Sequence, residues 1–70
     1  MLRTSWKGNV GRSIRRRRLA IAMTQERAAE SFGCTLRHWQ RLEEGTQNPS
    51  LLVLVRIARA LGTKPHKLLE

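Results

Sequence analysis

Three times between residues 24 and 62 the chain sets a hydroxyl residue before an apolar-patterned run and a glycine after it: Thr24 with Gly33, Thr35 with Gly45, Ser50 with Gly62. No other feature limits the fold so tightly. A Thr or Ser side chain accepts from an orphan N–H of a first helical turn, and glycine takes the left-handed conformation that ends a helix. The intervals are therefore short helices, Gln25–Phe32, Leu36 to about Glu44, and Leu51–Leu61. Glu26 places a carboxylate in the first turn of the earliest, where the helix dipole favours it. Pro49 biases Asn48 away from the helical region, so 46–49 reads as loop, and Pro65 suits the opening of a last short helix, Pro65–Leu69. Upstream, Val10–Ala22 reads as a helix with Val10, Ile14 and Ile21 roughly on one face. Residues 1–9, which contain Gly8 and lack helical periodicity, read as a mobile arm in which Trp6 is the one side chain suited to docking on the body. The expectation is an all-α chain, a compact bundle of five short helices over residues 10–70, with no strand and no internal repeat.

Seventy residues make one domain, and a chain this short buries only about 60% of its unfolded surface. The single cysteine, Cys34, excludes an internal disulfide, and no Cys/His cluster has metal-ligand spacing, so neither metal nor cofactor is expected. Packing alone must hold the fold, which suits a reducing cytoplasm. Residues 1–10 lack an apolar signal core, and no apolar run approaches the ~20 residues that span a bilayer. The decisive global property is charge: 14 Lys+Arg against 5 Asp+Glu, a formal net charge of +9, with the positive charge concentrated ahead of the first acid, Glu26. Such an excess asks for a polyanionic partner. An anionic membrane is a distant second to nucleic acid, because the chain has only two Trp and one Phe as anchors. An enzyme is not expected: no carboxylate pairs with a His or Cys at useful spacing, and there is no Gly-rich phosphate loop.

The run Gln25–Phe32, the turn at Gly33–Cys34 and the helix from Leu36 set one short helix across the end of another. Ala28, Ala29 and Phe32 face inward on the first. On the second, Trp39 and Leu42 share one side while Arg37, Gln40 and Arg41 share the opposite one. Arg forks onto guanine O6 and N7, and Gln onto adenine N6 and N7, so those donors match a major groove. A solvated amphipathic helix has the same two-sided pattern; the order of the flanking motifs distinguishes them.

That order runs Ile14-Arg15-x-x-Arg18, Met23-Thr24-Gln25, Ala29, Gly33, Thr35, Leu42-Glu43-Glu44-Gly45, Pro49-Ser50, Leu54 and Ile57-Ala58-x-Ala60-Leu61. Over residues 10–69 it closely resembles the phage-repressor-like helix-turn-helix family, the Cro/Xre type. The resemblance implies a lambda-repressor-like DNA-binding domain, a bacterial or phage transcription regulator located in the cytoplasm with the nucleoid. It implies that Gln25 braces the recognition helix and contacts a phosphate, that Thr35, Leu36, Arg37 and Gln40, with Arg41 beyond them, meet base edges, and that Thr46, Gln47 and Asn48 meet the backbone. It also implies an ion pair between Arg18 and Glu43. Leu36 departs from the polar residue usual there and suits either a thymine methyl or packing. Ala28 stands where the family has leucine, and Trp39 enlarges an inward position, an exchange that conserves core volume.

The arginines of 15–18 wrap round their helix and form no single stripe. Arg12, Arg15 and Arg16 are the candidates for phosphate contact, Arg18 for the ion pair, and Arg17 for a solvated surface residue. His38 and His66 have no ligand companions, and Cys34 has no second cysteine to resolve it. In the fourth helix Leu51, Leu54, Ile57, Ala58 and Leu61 make the inward stripe. That leaves Leu52, Val53 and Val55 as an apolar contact surface, and a homodimer on paired half-sites is the natural partner arrangement. A small-molecule effector is not expected. The rival reading is an antitoxin or protein-interaction module on the same fold.

Overall fold

A computed structural model describes residues 6–46 and 49–69, with side chains from Val10 onward. Four α-helices follow one another, α1 Trp6–Ala20, α2 Gln25–Phe32, α3 Leu36–Glu44 and α4 Leu51–Ala60, and a 3₁₀ turn, Pro65–Leu69, closes the chain. The all-α bundle expected from the capping pattern is the observed fold. Its fifth element is a five-residue 3₁₀ turn that begins with the proline, short as such helices usually are.

The hydroxyl caps act as their positions predict. Thr24 Oγ1 accepts from the Arg27 N–H at 3.1 Å and Thr35 Oγ1 from the His38 N–H at 3.1 Å. Ser50 Oγ accepts from the Val53 N–H at 3.2 Å. Gly33 sits at φ 95°, and its N–H and that of Cys34 both donate to the Ala29 carbonyl, at 2.8 and 2.9 Å. A left-handed residue here turns the chain sharply from α2 into α3, which a Cβ disfavours.

α1 differs from expectation at both ends. It starts at Trp6 rather than Val10, so residues 6–9, read as arm, are helical backbone. Arginine-rich sequence following them carries enough helix propensity to extend through Gly8. Met1–Ser5, the rest of the arm, lie outside the described residues, as does the Trp6 side chain whose docking was expected. At the far end the helix stops at Ala20, and Ala22, at φ 56°, takes the left-handed position usually given to glycine. The Met23 N–H then reaches the Arg18 carbonyl at 3.0 Å.

The core joins all four helices and the closing turn through Val10, Ile14, Ala28, Ala29, Trp39, Leu42, Leu54, Ile57, Ala58, Leu61 and Leu68. Phe32 packs against it, its ring centroid 5.9 Å from that of Trp39. Two expectations about α4 need correction. Leu51 is 71% exposed: it opens the helix, a turn ahead of Leu54, the first α4 residue to reach the core. Val53 is half-buried and packs on the core, so it belongs only partly to the outer apolar surface.

α1 packs against α3 so closely that a side chain at Gly11 has no room. A Cβ there falls 2.6 Å from the Glu43 carbonyl oxygen and 2.8 Å from that of Leu42, backbone atoms that cannot swing aside. Further along α1, Arg17 is not the idle surface residue it was read as. Its Nε donates to the Leu61 carbonyl at 3.1 Å and its Nη2 to that of Gly62 at 2.9 Å, supplying donors to the orphan carbonyls at the end of α4.

Candidate nucleic-acid interface

Thr35 starts α3 and Gly45, at φ 80°, ends it, so nine residues are held at both ends. Trp39, Leu42 and Glu43 form the buried side of that helix. Arg37, Arg41 and Glu44 are exposed, and Gln40 and His38 stand half-buried at the flanks. By helical rotation Arg37 and Arg41 lie opposite the buried side, as expected for an outward-facing pair of guanidinium groups. Leu36 is 37% exposed, neither fully packed nor fully presented. Glu44 shares the outward side and was not singled out by sequence reasoning; its place within the Leu42–Gly45 motif drew attention only to Glu43.

Behind this face lies a buried polar cluster centred on the Glu43 carboxylate. Arg18 reaches it with both branches, Nε to Oε2 at 2.5 Å and Nη2 to Oε1 at 3.1 Å, and spends Nη1 on the Met23 carbonyl at 2.8 Å. Trp39 Nε1 donates to Oε2 at 2.6 Å. Gln25 Nε2 donates to Oε1 at 3.0 Å, and Gln25 Oε1 in turn accepts from Gln40 Nε2 at 3.4 Å. Burial on its own pushes the Glu43 carboxyl up, but the hydrogen bonds from Arg18, Gln25 and Trp39, with the Arg18 charge, outweigh it and hold the group below the ordinary glutamate value. Among the described residues no buried side-chain nitrogen or oxygen lacks a partner. One cluster thus links α1, the start of α2 and the body of α3 by hydrogen bonds.

The indole's part in this cluster was not foreseen. Trp39 was read as a large apolar anchor, yet the i, i+4 spacing to Glu43 was a legible signal that its N–H has a carboxylate within reach.

The remaining predicted residues distribute over the surrounding surface. Arg12, Arg15 and Arg16 are exposed on α1. Arg15 is one turn beyond Gly11 and so on the α3 side, whereas Arg16 is rotated roughly 140° from Gly11. It lines a cleft with Ser13, Arg17, Thr63 and Lys67 beside the closing turn. Thr46 is exposed after α3 and its Oγ1 donates to the Arg41 carbonyl at 3.2 Å. Gln47 and Asn48 lie outside the described residues. Cys34 is half-buried, its thiol pushed up by burial in spite of nearby backbone and Arg56 contributions. Among the described residues no three or more His, Cys, Asp or Glu group as metal ligands, and no helix is long and apolar enough to cross a membrane.

Known proteins resemble this chain in sequence and in fold. The family described as Helix-turn-helix domain matches residues 9–70. An uncharacterized HTH-type transcriptional regulator of Methanothermobacter thermautotrophicus is 47% identical over 49 residues, 70% of this chain and 71% of that protein. Among solved structures, the restriction-modification controller protein C.AhdI from Aeromonas hydrophila superposes with a TM-score of 0.82 at 29% identity, covering 89% of this chain and 94% of its own. The clp gene regulator ClgR from C. glutamicum superposes at 0.91 with 22% identity, over 96% of this chain and 87% of its own, a likeness of fold.

Proposed function

The chain belongs to the helix-turn-helix domain family, and from that premise we propose that it is a transcription regulator that binds specific sequences in double-stranded DNA. The observation that carries this reading is the exposure of Arg37 and Arg41 on the side of α3 opposite its buried Trp39 and Leu42. In this reading α3 enters the major groove, and Arg37, Gln40 and Arg41 read base edges. Thr35 and Leu36 stand at the leading end of the helix, with Leu36 suited to a thymine methyl. Gln25, Arg12, Arg15, Arg16 and the loop at Thr46, Gln47 and Asn48 hold phosphates. The formal charge of +9 supplies the salt-dependent attraction to the duplex. The relative from Methanothermobacter thermautotrophicus is named as a transcriptional regulator and C.AhdI as a controller protein, which supports this role.

Two copies act together. Leu51 and Leu52 are 71% and 70% exposed on α4, with half-buried Val53 and Val55 beside them. Covering such residues in a two-fold contact places two α3 helices on half-sites about one helical turn apart. The same exposed leucines favour the second reading, a module whose α4 surface holds a different protein.

Selection of bound sequences from random duplexes at physiological salt tests the proposal. A consensus with two-fold symmetry supports specific recognition by a homodimer. Enrichment of no sequence over the starting pool overturns it.

A further inference from the structure

Ser13, Arg16, Arg17 and Ala20 recur at i, i+3, i+4 and i+7, so they share one side of α1. The chain that follows α4 folds back against this side. The Thr63 N–H donates to the Ala58 carbonyl at 2.8 Å, and the 3₁₀ turn then buries Leu68 in the core and leaves Lys67 exposed. Between the two segments lies a cleft of about 300 Å³, at the small end of the range for ligand clefts. Arg16, Arg17 and Lys67 line it together with the hydroxyl residues Ser13 and Thr63, and no acidic residue does.

Three cations gathered round one cleft repel one another, and among the described residues none of them meets a carboxylate. Arg17 is held in place, its Nε and Nη2 donating to the Leu61 and Gly62 carbonyls, which leaves its Nη1 uncommitted. Ser13 lines the cleft although it is only 5% exposed, a polar residue otherwise enclosed by the fold.

The geometry points to the cleft between α1 and the closing turn as a binding site for a phosphoryl group. Arg16 and Lys67 supply charge, Arg17 a fixed guanidinium, and Ser13 and Thr63 hydroxyl donors. A carboxylate sets two oxygens in one plane and is satisfied by a single guanidinium fork. A phosphoryl group spreads its oxygens tetrahedrally, and donors from α1, the loop after α4 and the closing turn approach it from several directions. Ala20 and Leu68 complete the lining with apolar surface for the group that carries the phosphate. The site goes beyond base reading by α3 and stands without it. Two sources offer this chemistry: a backbone phosphate of the bound duplex, or a phosphorylated small molecule.

Titration of the full chain with inorganic pyrophosphate at fixed ionic strength, followed by amide chemical shifts, tests the site. The largest shifts fall on Ser13, Thr63 and Lys67. Arg16→Gln and Lys67→Gln each weaken binding by about tenfold, the loss of one charge-assisted hydrogen bond, whereas Lys64→Gln, outside the lining, changes it by about twofold or less. Both cleft side chains are exposed, so the thermal melts of these variants stay with that of the unaltered chain. Shifts spread evenly over the basic surface overturn the inference, as does a Lys67→Gln variant that binds pyrophosphate as tightly as the unaltered chain.

Lys67 also separates the two sources, because it has no part in the DNA contacts proposed above. A duplex phosphate in the cleft makes Lys67→Gln lower the salt slope of duplex binding by about one, and the duplex displaces pyrophosphate. With a small phosphorylated ligand the slope is unchanged and the pyrophosphate shifts persist in the duplex complex. Either result supports the site. Absence of any sequence preference overturns the proposed function and leaves the pyrophosphate titration to decide this inference alone.

Discussion

Trp39 donates its indole N–H to Glu43 Oε2 across 2.6 Å, one turn along the same helix, with both side chains buried. Arg18 meets the same oxygen from α1 at 2.5 Å. A carboxylate surrounded this way is costly to bring out of water and stable only with its partners in place. Arg18→Met leaves the charge buried and uncompensated, and unfolding free energy falls by about 3–5 kcal/mol. A chemical-denaturation comparison checks it. Arg18→Met combined with Glu43→Leu recovers much of the loss, since removing both charges leaves neither unpaired; a double variant no more stable than Arg18→Met contradicts the account.

The same carboxylate gives the fold a pH dependence of fixed sign. Its folded-state pKa lies below the ordinary glutamate value, despite the upward push of burial, because of the hydrogen bonds from Arg18, Gln25 and Trp39. The unfolded chain thus takes up the proton first. The contribution of Glu43 is fully present above the unfolded value, about 4.3, and is lost as pH falls through the lower folded value. Urea midpoints between pH 6 and pH 2 decline for the unaltered chain and decline less for Glu43→Gln; parallel curves contradict this.

Gly11 is needed for space rather than for backbone freedom. A methyl group at this position meets backbone oxygens of Glu43 and Leu42 at 2.6 and 2.8 Å. Although alanine is the better helix former by about 1 kcal/mol, Gly11→Ala destabilises by about 1–3 kcal/mol through overpacking. It also shifts α1 away from the C-terminal end of α3. A thermal melt reads the sign directly, and a rise in midpoint is the opposing result.

In the proposed dimer Leu52 bears on assembly and not on the folding of the monomer. At 70% exposure it contributes little to the core. Leu52→Lys therefore leaves the melting of a dilute sample within about 0.5 kcal/mol while converting the sedimentation profile from dimer to monomer. Unchanged sedimentation counts against the α4 interface.

Much of this molecule is readable from local sequence, and several of the exceptions share a cause. Thr24, Thr35 and Ser50 cap the helices they precede, because an N-cap is decided within three residues of itself. Trp39 and Leu42 point inward because a nine-residue helix has only one apolar side. What local pattern misses is contact between distant segments. The Arg17 clamp on Leu61 and Gly62 joins residues more than forty apart, and the tight seat of Gly11 depends on where α3 ends. The left-handed Ala22 escaped notice for a different reason: no glycine marks it. Leu51 was misplaced because periodicity gives the angle of a side chain and not whether a neighbour reaches that turn. In the candidate site the outward arginines were legible from rotation alone. The path from Glu43 through Gln25 to Gln40 needed coordinates, since it crosses two helices.

The central claim is that the guanidinium-bearing side of α3 reads bases. Its most direct test is the affinity of Arg37→Ala for the selected duplex and for a scrambled duplex of equal length at the same salt. The account predicts a loss of about 1–3 kcal/mol on the selected duplex and a much smaller change on the scrambled one. Equal losses on both contradict it, for they mean that Arg37 contributes charge and no sequence readout.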